Sequence, residues 1–171
     1  MRVLIFLLLL TPFAVNGQKK SATYLPRYDK VMMYDFEGEP KGENSRIVWG
    51  GKLSGTVRKQ AHLYTEEAEM LSKKLFERKS YGASSAFCFD PHLGFVYYLH
   101  DSVVAYVTIC MDCNRLEASV DIPAQKQGKQ GSGKEVYYIA EGMSKPFRYF
   151  LNGLLKKYHF SHQAGPGSGF D

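Results

Sequence analysis

FVYYLHDSVVAYVTI, residues 95–109, is the stretch that decides the architecture. Two runs of aromatic and β-branched residues, Phe95 to Leu99 and Val103 to Ile109, flank the polar stretch His100-Asp101-Ser102. That pattern predicts an antiparallel hairpin. With the turn centred on Asp101-Ser102, Tyr98 faces Ala105 and Gly94 faces Ile109. The same register sets Leu93 across from Cys110 and Asp90 across from Cys113. Cys88 and His92 then approach Cys110-Met111-Asp112-Cys113 at the open end of the hairpin, where Pro91 distorts the pairing.

Working outward, Leu116 to Ile122 reads as a third strand that Pro123 stops. Val31 to Tyr34 can form a short strand. Ile47-Val48-Trp49 and Leu53 to Val57 have strand chemistry, and Gly50-Gly51 between them is a hairpin turn signal. A helix is predicted over Glu66 to Lys79, with Thr65 as N-cap and Tyr81-Gly82 closing it. Ala68, Leu71 and Leu75 form its buried stripe, and Glu66 and Glu67 suit the positive end of its dipole. Ser144 is placed to cap a second helix, in which Phe147, Phe150, Leu151, Leu154, Leu155 and Tyr158 recur at helical spacing. Residues 124–134 (AQKQGKQGSGK) have loop composition, and Glu135 to Ile139 is a further strand candidate. Strands clustered between two helices predict an α+β fold, an antiparallel β-meander with two amphipathic helices packed on one face.

The first residues read as an export signal. Met1-Arg2 precedes the unbroken apolar run Val3 to Leu10, with cleavage after Gly17; a membrane-spanning helix needs about 20 apolar residues. The expected organisation is a signal peptide over 1–17, an extended, flexible arm over 18–45, a single α+β domain over 46–162 and a disordered tail over 163–171. The mature protein is then secreted or periplasmic and spans no membrane after cleavage. Lysine and arginine (22) exceed aspartate and glutamate (17) only modestly. The excess is scattered, which favours solubility. Export argues against a nucleic-acid partner and points to an envelope or extracellular one.

The chemistry lies in Cys88, His92, Cys110 and Cys113. In an oxidising compartment three cysteines first suggest a structural disulfide. Strand parity puts Cys88 and Cys113 on one face and Cys110 on the other, so Cys88–Cys113 is the preferred pair. A Cys110–Cys113 bond needs Cα atoms about 4.4–6.8 Å apart and so demands a turn at Met111-Asp112. Cys110 would otherwise be left as a buried, inert thiol. The same four residues compose a Cys3His set of the kind that holds structural zinc. A thiol-redox site is the third reading, although a redox CxxC opens a helix and this one precedes strand residues.

Other motifs are incomplete. The stretch 128–134 approaches a phosphate-binding loop, but Glu135 stands where Ser or Thr belongs. His159 and His162 lie three apart beyond the last helix and can bind a metal weakly or simply be solvated. His62 and His100 have no evident partners. Tyr97, Tyr98 and Tyr106 suit cross-strand core packing better than ligand stacking. No nucleophile elbow, HExxH helix or EF-hand loop occurs. These absences argue for a small non-catalytic binding or structural module with no cofactor, zinc being the exception the Cys/His cluster allows.

Tyr81-Gly82, Cys88-Phe89-Asp90-Pro91-His92, Val104-Ala105, Ile109-Cys110-x-x-Cys113-Asn114, Ile122-Pro123 and Gly142-x-Ser144 together resemble a group of small exported bacterial proteins of uncharacterised function. The resemblance extends from Thr65 to Phe160. It implies export and a shared Cys/His centre. Leu93 departs from the pattern, which favours a second histidine there; the departure weakens a metal site built on paired imidazoles but not one built on His92 alone.

Overall fold

A computed structural model describes residues 25–39, 41–130 and 137–162. The expected signal peptide and tail lie outside the described residues, as does most of the glycine-rich stretch. In chain order the elements are β1 (Lys30–Phe36), β2 (Val48–Trp49), β3 (Lys52–Leu53), β4 (Val57–His62), α1 (Thr65–Phe76), β5 (Tyr81–Ala83), β6 (Leu93–Leu99), β7 (Ser102–Cys110), β8 (Arg115–Ala118), β9 (Gln127–Gln130), β10 (Tyr137–Ala140), β11 (Gly142–Met143) and α2 (Lys145–Lys157). Five strands form the main sheet in the order β4-β1-β6-β7-β8, with every neighbour antiparallel. The fold is α+β, and β6-β7-β8 is its meander.

Alternation along the strands divides the core in two. Val31, Met33, Phe95, Tyr97, Ala105, Val107 and Ile109 point to one face, where Leu71 and Leu75 of α1 and Phe147, Leu151 and Leu155 of α2 cover them. Both helices therefore pack on the same side, each apolar side chain buried there contributing about 1.5–3 kcal/mol. Tyr34, Phe36, Val96 and Tyr98 point the other way and lie under Ile47 and Val48. Gly94 allows that cover to lie flat: a Cβ there would come within 2.5 Å of the Ile47 side chain. The backbone N–H of Ile47 donates to Thr108 Oγ1 at 3.1 Å, fixing the same contact.

Several expectations change. Strand β1, placed by sequence within the flexible arm 18–45, pairs with β4 on one side and β6 on the other. Its Val31 and Met33 are buried under the helices and its Tyr34 and Phe36 on the opposite face of the sheet. The central hairpin turns at His100-Asp101, both left-handed (φ 49° and 63°), so Leu99 opposes Ser102. A bulge at Val104 then sets Tyr97 against Ala105 and Leu93 against Ile109. The register is thus offset from the expected one, because the two-residue turn closes one position earlier. Lys30 Nζ to Asp101 at 2.6 Å and His100 N–H to Asp29 at 2.9 Å hold that turn.

Helix α1 begins after Tyr64, whose N–H donates to the Glu67 carboxylate at 3.1 Å, and ends at Phe76. A 3-10 turn over Arg78–Ser80 takes up the rest of the expected helix. Residues 127–130, expected in a loop, pair with Tyr137–Ala140 through backbone bonds. The third strand is shorter than expected, 115–118, and Val57–His62 forms an edge strand where only its first residue was anticipated. Ser144 occupies the N-cap of α2 but caps through its carbonyl, which accepts from the N–H groups of Phe147 and Arg148 at 3.0 Å each.

Candidate functional site

At the open end of the central hairpin, β7 stops at Cys110 and the chain turns through Met111 to Asn114. Asn114 takes the left-handed backbone (φ 49°) that asparagine tolerates better than most residues. It is fully buried, and its Nδ2 donates to the carbonyls of Ser84 (2.8 Å) and Met143 (3.1 Å). Gly142 makes the approach possible, since a Cβ there would strike Ser84 O and Asn114 Nδ2. The turn is therefore anchored by residues on either side of it in space.

This turn decides the geometry of the cysteines. The Cα of Cys113 lies 5.9 Å from that of Cys88 and 5.3 Å from that of Cys110, both within the range a disulfide spans. The three sulfur atoms converge, with Cys113 between the other two. Strand parity had set Cys110 on the opposite face from Cys113; the turn at Met111-Asp112 ends the strand and removes that separation. Cys113 N–H donates to Cys110 Sγ at 3.2 Å, and Cys113 O accepts from Ala86 N–H at 2.8 Å. Cys110 and Cys113 are each 1% exposed, whereas Cys88 is exposed and follows Phe87, itself 70% exposed.

His92 has other neighbours. Its ring stacks on His162, with centroids 3.9 Å apart and planes 6° from parallel. His92 Nδ1 lies 3.3 Å from Phe36 O, and Nε2 lies 3.9 Å from Asp90, too far for a hydrogen bond. His162 Nδ1 lies 3.2 Å from Asp35 Oδ1, while Ser161 Oγ donates to Asp35 Oδ2 at 2.9 Å. Asp35 is a 4% exposed carboxylate on the helix-covered face, reached by the chain as it leaves α2. Glu37, just beyond β1 and ion-paired with Arg58, completes a group whose ligand-capable atoms lie within 4.8 Å of one another: Glu37, His92 and His162. Sequence reasoning found both histidines but assigned them different partners. Only the packing of α2 against the sheet brings residue 162 to residue 92.

The remaining candidates serve the fold. His159 is left-handed (φ 55°) at the end of α2, and its carbonyl accepts from Lys59 Nζ at 2.9 Å. His100 sits in the hairpin turn. Tyr97 is a core residue meeting Tyr28 edge to face, and Tyr98 shares a 2.8 Å hydrogen bond with Tyr34. Burial, then the bond to Tyr98, pushes the Tyr34 phenol well above its ordinary range. Glu67 joins the two helices. Burial opposes its ionisation, but hydrogen bonds from Lys157 and Tyr158 (2.5 Å each) and from Tyr64 N–H outweigh that and hold its carboxyl below the usual value.

No family model, no curated protein and no solved structure matches this chain.

Proposed function

We propose that the protein is a small exported, non-catalytic binding module whose hairpin end is held by one disulfide that can occupy two positions, Cys113 being its constant member. The observation that carries this reading is the placement of Cys113 within disulfide reach of both Cys88 and Cys110. Three sulfurs and one bond always leave one thiol. With Cys88–Cys113 bonded, that thiol is the buried Cys110. Its thiolate attacks Cys113 Sγ, the Cys88–Cys113 bond breaks as Cys110–Cys113 forms, and Cys88 leaves as the thiolate, with no net oxidation. Exchange therefore trades a buried thiol for an exposed one beside the apolar side chain of Phe87. Such a thiol suits docking to, and disulfide exchange with, an envelope or extracellular protein partner.

The test is a disulfide map of the mature protein from the exported fraction, quenched in acid and cleaved at Met111 to separate Cys110 from Cys113. One thiol per chain and both isomers are expected. Alkylation of the native protein should label Cys88 and trap Cys110–Cys113. A single Cys88–Cys113 isomer that persists through prolonged alkylation would overturn the exchange and leave a fixed clamp. The convergence of three sulfurs also favours a second reading, zinc held by Cys88, Cys110 and Cys113 without His92, whose ring stacks on His162 instead. Three thiols per chain, with stoichiometric zinc that alkylation releases, would establish it instead.

A further inference from the structure

We infer that Glu37, His92 and His162 form a binding site for one divalent transition-metal ion of the zinc class, separate from the cysteines. Three segments far apart in sequence supply it: the residue after β1, the residue before β6 and the chain beyond α2. Their ligand-capable atoms already lie within 4.8 Å of one another. Ligand atoms held 2.0–2.2 Å from one tetrahedral zinc ion lie about 3.3–3.6 Å apart, so binding would draw these three side chains together by about an ångström.

The hydrogen-bond partners of each ring favour one tautomer. A backbone carbonyl can only accept, so the 3.3 Å contact to Phe36 O makes His92 Nδ1 the donor. The buried Asp35 carboxylate does the same for His162 Nδ1 at 3.2 Å; the Ser161 hydroxyl, also 3.2 Å from Nδ1, gives its own proton to Asp35 Oδ2 at 2.9 Å and so is left to accept there. Both Nε2 atoms are then lone-pair ligands, and among the described residues neither meets a hydrogen-bond donor. This is the outer-shell arrangement that orients metal-binding imidazoles: a carboxylate or carbonyl on one nitrogen and the other nitrogen open. Glu37 gives one oxygen to Arg58 and keeps the second. Two imidazoles and a carboxylate match the donor preference of zinc and its neighbours, and three protein ligands leave a position for water or for a side chain of a bound partner.

An ion there would also relieve the one awkward feature of the cluster. The two rings stack face to face with centroids 3.9 Å apart, a contact that by itself gives neither Nε2 a partner. A shared cation makes the same proximity favourable. It would also tie the end of the chain after α2 to the strand at the centre of the sheet.

The experiment uses the full mature chain, oxidised, with its remaining thiol alkylated and its metals removed by chelation, then titrated with zinc by calorimetry. One zinc per chain is expected. His162→Ala, His92→Ala and Glu37→Gln should each weaken binding by about tenfold or more, and Asp35→Asn by about 10–100-fold through the ring it orients. His162 lies beyond the last helix, so His162→Ala keeps the inference testable even if His92→Ala unfolds. Cobalt bound to the native site should show no thiolate-to-metal charge-transfer band. Absence of stoichiometric binding by the folded chain would overturn the inference. Binding that His162→Ala leaves unchanged would do so too.

Discussion

Asn114 concentrates more structure than any other single residue near the cysteines. It holds a left-handed turn, and one side-chain amide satisfies two carbonyls from segments far away in the chain. Asn114→Ala removes both bonds and places an unsuitable residue at positive φ, so a loss of about 2–3 kcal/mol is expected in urea unfolding. Asn114→Gly loses the same bonds but accepts the backbone, and should be milder by about 1 kcal/mol. Equal losses would mean that the turn carries no backbone cost. The pattern Ile109-Cys110-x-x-Cys113-Asn114 drew attention to this residue in the sequence, yet its role was not legible there. Asparagine at positive φ is a preference, and the carbonyls that select it come from Ser84 and Met143. His92 and His162 teach the same lesson, since nothing local relates the two positions.

Among the elements, periodic ones were the most legible. The stripe Phe147, Leu151, Leu154 and Leu155 specifies α2 and its buried face, and Val48-Trp49-Gly50-Gly51-Lys52-Leu53 specifies a small hairpin by its glycines. Strand β9 was hidden because Gln127-Gly128-Lys129-Gln130 has no apolar alternation, and its pairing with Tyr137–Ala140 is a backbone feature that the sequence pattern does not display. The join between α1 and α2 is electrostatic, and its pH dependence follows from Glu67. A carboxyl held below its ordinary 4.5 contributes stability that is fully present above that value and is lost as pH falls through the lower folded value. Acid unfolding followed by far-ultraviolet dichroism should therefore steepen below pH 4.5 in the natural protein and less so in Glu67→Gln. At neutral pH Glu67→Gln should cost about 1 kcal/mol, because Lys157 is half-exposed and screened. Tyr158 works in the opposite direction: burial, then its bond to Glu67, pushes its phenol up to about 12, so its contribution is present below its ordinary 10.0 and is lost only as pH rises through that higher value. An acid transition identical in the two proteins would place the carboxyl outside the cooperative unit.

For the molecule as a whole, the two candidate disulfides differ in how much chain they close. Cys88–Cys113 spans 25 residues and cross-links the segment before β6 to the turn after β7, whereas Cys110–Cys113 spans 3 and joins the two ends of one turn. Convergence of the three cysteines at the hairpin end was legible from the chain because hairpin pairing needs only the two apolar runs, whereas His92, expected beside them, lies against His162. The choice between bonds was not, since it depends on a turn that tertiary hydrogen bonds select. Loop-closure entropy in the unfolded chain assigns about 3.5 kcal/mol to the longer cross-link and about 1.5 kcal/mol to the shorter. Cys110→Ala leaves only the first and Cys88→Ala only the second. Each variant should be unfolded in urea both oxidised and reduced, because the oxidised-minus-reduced difference cancels the packing lost with each sulfur. The difference for Cys110→Ala should exceed that for Cys88→Ala by about 2 kcal/mol. Exchange from the long bond to the short one then loosens the exposed stretch around Phe87 at the moment it frees the Cys88 thiol, coupling reactivity to access. Equal differences would show that the unfolded chain does not distinguish the two bonds, and exchange would then move a thiol without loosening the fold around it.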